Sequence, residues 1–114
     1  MRPLVFLAGL ALAMPVYAAD RPECDQADAE SRWQRSIDAG LVQGASILND
    51  KMTIHLKASD WNNYPLEVRI GMFVILDCVI AGPDSRVTEM QAVNEGGRVL
   101  ATWDGIKQQI DVRD

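Results

Sequence analysis

The sequence predicts an α+β fold in which a single layer of helices covers an antiparallel sheet. Two segments, 23–39 and 66–81, carry apolar residues at helical spacing or in a long apolar run. Between and after them lie short runs in which apolar and polar residues alternate, bounded by turn residues. The resulting order is α-β-β-α-β-β-β: an N-terminal helix, a hairpin, a central helix and a three-stranded antiparallel meander. Such elements bury their apolar faces most simply as helices on an antiparallel sheet.

For the first helix, Asp20 can cap, Pro22 suits the first turn and Glu23 stands three residues after the cap. Ala29, Trp33 and Ile37 recur every four residues and so share one face, with Gly40 as the stop. The hairpin spans 45–58. Met52, Ile54 and Leu56 alternate with Thr53, His55 and Lys57, and Asn49-Asp50-Lys51 supplies the turn. Ser59-Asp60 and Asn62-Asn63 offer caps for the second helix, and Pro65 fits its first turn. Leu66–Ala81 is apolar nearly all round, which predicts a central buried helix, and Gly82-Pro83 ends it. Three strands then follow: 87–94, 98–103 and a last one marked by Ile106, Ile110 and Val112. Glu95-Gly96-Gly97 and Asp104-Gly105 are the turns between them.

The chain has 114 residues, with 16 acidic against 11 basic side chains and a formal net charge of -5. That length supports one domain. The acidic balance lacks the basic footprint that nucleic acid demands. Residues 1–18 have the ordered features of a secretory signal peptide. Arg2 precedes an apolar run from Leu4 to Met14, Pro15 breaks it, and Val16-Tyr17-Ala18 offers small or medium residues for cleavage. The run falls short of the roughly 20 residues that span a bilayer. Residues 19–114 are therefore expected to form one small soluble domain, periplasmic or secreted from a bacterial cell, with no transmembrane segment.

Cys24 and Cys78 both lie in that domain. An exported chain with two cysteines most simply forms one structural disulfide. A redox-active pair would need a Cys-x-x-Cys spacing, which is absent from the sequence. The alternative is two free buried thiols.

Candidates for chemistry are few. His55 is the one histidine and sits on the polar side of its strand, without ligands spaced to build a metal site around it. Asp77 interrupts the apolar helix. It reads as the solvent stripe of that helix; if buried, it would need a partner such as Arg69, Arg86 or Arg98. No catalytic residue, metal ligand or cofactor is predicted. Two clusters are candidates for binding. Trp61-Asn62-Asn63-Tyr64 places two aromatics and two amides at a loop-to-helix junction, where they can seat a peptide or stack on a sugar. The plainer role for the aromatics is a hydrophobic staple at the helix start. Glu23, Asp25 and Asp28 stand in an acidic segment that favours a helix N-terminus and can steer a basic partner.

These features point to a non-enzymatic binding module of the envelope, such as an inhibitor, an immunity-type protein or an assembly factor. Its expected partner is another envelope or secreted protein. The alternatives are a glycan or small-ligand binder using Trp61, Tyr64 and Trp103, and a hydrolase using Asp77 or His55. A homodimer formed by outward pairing of the last strand is a further expectation.

Overall fold

A computed structural model describes residues 16–18, 22–48 and 51–113. The apolar run of the predicted leader, the Asp20 cap and the Asn49-Asp50 turn lie outside the described residues. The elements in chain order are β1 (Val16–Ala18), α1 (Gln26–Asp38), β2 (Val42–Leu48), β3 (Lys51–Leu56), α2 (Ala58–Trp61), α3 (Leu66–Ala81), β4 (Ser85–Val87), β5 (Glu89–Val93), β6 (Val99–Asp104) and β7 (Gln109–Val112). The α+β class holds: α1 and α3 pack together over a five-stranded sheet of order β2-β3-β5-β6-β7.

The sheet is mixed, not antiparallel throughout. β3 and β5 run parallel, with Met52 opposite Met90 and Ile54 opposite Ala92. The reason is connectivity. α3 carries the chain from the end of β3 back across the sheet, and a strand entered after such a crossover runs parallel to the strand before it. The predicted strand 87–94 is also two strands. The chain breaks pairing at Thr88, so β4 leaves the main sheet and pairs antiparallel with the backbone of β1. Cleavage after Ala18 would remove β1 from that edge.

α1 begins later than predicted. Asp25 is its cap and accepts the Asp28 N–H at 3.1 Å, while Pro22 and Glu23 form a turn before it. The short helix α2 was not predicted. Its first N–H, on Ala58, is met by the Glu95 carboxylate at 3.3 Å. The Glu95 carboxyl is held below its ordinary range, first by its own backbone N–H and then by that of Ala58.

Register builds the core. On the helix-facing side of the sheet, Met52, Met90, Trp103 and Ile110 form one row across four strands, and Ile54, Ala92 and Ala101 form the next. Phe73 of α3 stacks on Trp103 at 5.6 Å and meets Trp61 edge-on at 6.3 Å. Ala29 and Trp33 of α1 join the same core, as the four-residue spacing predicts, but Ile37, third in that spacing, is 39% exposed at the end of the helix, beyond the cover of α3 and the sheet. The opposite side of the sheet carries a polar row, Ser46-Thr53-Gln91-Thr102-Asp111. Within it Gln91 donates to the Thr53 hydroxyl at 3.0 Å, satisfying two buried polar groups at once.

Asp77 corrects the expectation of a solvent stripe. It is fully buried, and its Oδ1 accepts the Val87 N–H at 2.8 Å. β4 thereby docks on α3 through a buried hydrogen bond. Asp77→Ala is expected to lower stability by about 2–3 kcal/mol, because it strands a buried N–H. Asp77→Asn, which keeps the Oδ1 acceptor, should lose less. Urea unfolding of the two variants checks the difference.

Candidate functional site

The predicted disulfide is present: Cys24 and Cys78 are bonded, with their Cα atoms 5.7 Å apart. It joins the start of α1 to the end of α3, so these helices run antiparallel. Gln26 adds a second tie by donating to the Val79 carbonyl at 2.7 Å. Between the two helices lies a groove made of two hollows that share Arg32 and Ile75.

The first hollow, about 260 Å³, sits at the disulfide end. Its floor is Val74, Ile75 and the Cys24–Cys78 bridge, and its rim carries Glu23, Asp25 and Asp28. All three predicted acidic residues therefore converge on one cleft, and all three are exposed. Asp28 is engaged with Arg32 at 2.9 Å, one turn on. The pair is more than half exposed, so it adds little stability.

The second hollow, about 660 Å³, lies toward the other end of the helices. Leu41 and Met72 form its base, and Tyr64, Val68 and Ile75 line it beside Arg32 and Arg35. Tyr64 of the predicted aromatic junction thus reaches this groove. Asn62 and Asn63 are exposed beside it. Trp61 is not available to a ligand. It is 1% exposed, packs on Phe73, and has the Arg69 guanidinium 5.2 Å from its ring centre. Arg69 also donates to the carbonyls of Tyr64 and Asn62 at 2.9 and 3.2 Å, which fixes the turn into α3. The staple role is the one that Trp61 fills. Trp103 is equally buried, so Tyr64 is the one exposed ring among the three that a glycan site would use.

Sequence reasoning missed the groove wall made by α3. This helix is apolar nearly all round, with almost no amphipathic asymmetry. Such a helix belongs in an interior, yet here the sheet and α1 cover only part of it. On the groove side Val68 is 43% exposed and Tyr64 36%. Gly71 lies on the same wall. A glycine inside a helix costs about 1 kcal/mol relative to alanine. A Cβ there would meet nothing within 4 Å, so packing within this chain does not require the glycine.

The remaining chemistry is sparse. His55 is half-buried on the polar side of β3, and its Nε2 lies 2.8 Å from the Ser46 hydroxyl. The sequence predicts no catalytic residue, and it is the β2–β3 pairing that brings Ser46 and His55 together. A catalytic pair also needs a group orienting the histidine and a cleft for substrate. The hollows at the disulfide end, at Tyr64 and at Thr88 leave out both side chains. The third hollow, at Thr88, Glu89 and Asp104, has its carboxylates engaged. Glu89 binds Lys51 at 3.0 Å, and Asp104 accepts the N–H groups of Ile106 and Lys107. No group of three or more His, Cys, Asp or Glu side chains suited to a metal occurs among the described residues.

No protein-family model matches this chain, and neither does any curated protein or solved structure.

Proposed function

We propose that this chain is an exported, non-enzymatic module that binds a protein partner in the groove between α1 and α3. The observation that supports it is the makeup of the groove: an apolar floor open at Val68 and Tyr64, acidic at one end and basic at the other. Apolar surface left uncovered and rimmed by charge is what protein interfaces use. Export is supported by the order of charged, apolar and small residues in 1–18. The Cys24–Cys78 disulfide is compatible with an oxidising compartment outside the cytoplasm. Among the described residues no helix is long and apolar enough to cross a membrane.

The test is capture of a partner by the purified exported protein at low and moderate salt, compared with a Glu23→Lys, Asp25→Lys, Asp28→Lys variant. Charge reversal is expected to weaken binding about tenfold or more at low salt and to flatten its salt dependence. Asp25 also caps α1, so Asp25→Asn serves as a control that keeps the cap and removes the charge. Unchanged affinity and salt dependence in the triple variant would remove the acidic end from the interface.

A further inference from the structure

We infer that the groove between α1 and α3 pairs with the same groove of a second copy, giving a two-fold dimer. The inference rests on reading this groove as a protein-binding site. Three observations carry it. First, α3 has almost no amphipathic asymmetry, and on its groove side it leaves Val68 43% exposed in the single chain, where a second helical layer would cover it. Second, Gly71 keeps the α3 wall free of a side chain where nothing in the chain itself comes close, which leaves room for a partner helix. Third, the charges are self-complementary. Glu23, Asp25 and Asp28 stand at one end and Arg35 at the other, with Arg32 and Ile75 between. Asp25 and Arg35 are about 15 Å apart along α1. A copy turned by 180° about the middle of the groove sets its Arg35 against Asp25 and its acidic end against Arg35. Each contact then occurs twice, as an isologous interface requires. The two helix pairs stack as two helical layers, with a sheet on each outer side.

This places the dimer contact on the helices, away from the edge strands β2 and β7. A basic partner would meet only the acidic end; a second copy answers both ends.

Sedimentation of the purified, disulfide-intact protein over a range of concentration and salt tests the inference. The protein is expected to self-associate to a dimer that weakens as salt rises. Val68→Glu changes a half-exposed side chain and should leave the circular dichroism unchanged while weakening the dimer about a hundredfold. Gly71→Leu should do the same, since its Cβ meets nothing in the single chain. The decisive arm uses charge reversal. Asp25→Arg and Arg35→Asp are each expected to be monomeric alone and to form a heterodimer when mixed, because each then supplies what the other lacks. A dimer that survives Val68→Glu and both reversals overturns the inference and points to the sheet edges. A wild-type chain that stays monomeric at millimolar concentration overturns it as well. If that monomer still captures a partner in a manner lost on charge reversal, only the self-pairing falls and the groove keeps its role.

Discussion

Gly105→Ala is expected to destabilise the fold by about 3 kcal/mol or more, at the upper end of what overpacking costs. Asp104-Gly105 reads in the sequence as the turn of a hairpin, where glycine serves backbone freedom. The structure gives Gly105 a different task. Its backbone lies so close to β4 that a Cβ would overlap the Val87 carbonyl oxygen and come within 3.0 Å of the Asp77 carboxylate. Its own N–H donates to the Thr88 carbonyl at 3.1 Å. Neither neighbour is free to retreat. Val87 is fully buried with its N–H bonded to Asp77, and Asp77 is held within the C-terminal half of α3. The glycine is where the β6–β7 turn, β4 and α3 meet with no space between them. Gly96→Ala is the matched control: a Cβ there makes only an ordinary 3.5 Å contact with the Asn94 side chain. Its expected effect is under about 1 kcal/mol. Urea midpoints for the two variants decide the matter. Equal losses would mean that the close approach at Gly105 is not what the residue is for.

What was legible in the sequence was what depends on near neighbours. The four-residue recurrence of Ala29 and Trp33 gave α1 and its buried face, and the alternation from Met52 to Leu56 gave β3. The helix 66–81 and its glycine stop were read correctly to the residue. What escaped was set by distant pairing. The alternating pattern of β3 and β5 is the same whether they pair parallel or antiparallel, so only the path of α3 between them decides the direction. The burial of Asp77 depends on a backbone N–H ten residues on, after a turn whose direction the sequence leaves open. The groove escaped for a similar reason. Its acidic rim was visible as a cluster, but Arg35, Val68 and Gly71 join it only because α1 and α3 pack antiparallel. One signal was present: a helix with no polar stripe, in a chain too short to surround it, predicts an uncovered apolar face. Trp61 illustrates the opposite case. An aromatic beside two amides suggests a binding platform, yet a small domain spends its large rings on the core, and Phe73 and Arg69 occupy this one.

Loss of the Cys24–Cys78 bond is expected to lower stability by about 4 kcal/mol, the chain-entropy value for a closed loop of 54 residues. In a domain of this size that corresponds to a fall in Tm of roughly 15–30 °C. Much of the effect should come from the unfolded chain, which the bond prevents from expanding. Reduction of the native protein and the Cys24→Ala, Cys78→Ala variant should therefore agree in Tm and show a larger denaturant dependence of unfolding than the oxidised chain. The folded protein should change locally. The bond anchors the start of α1 to the end of α3, and without it Gln26 is left as the tie, through its hydrogen bond to Val79. The acidic end of the groove would then loosen while the Tyr64 end, packed on Leu41 and Met72, stays in place. Amide exchange separates the two effects. Faster exchange confined to the first turn of α1 and the last of α3, with the sheet protected up to the lowered global limit, is the expected pattern. A Tm unchanged by reduction would mean that the helix packing of Trp33 and the Gln26 bond already hold the acidic end shut.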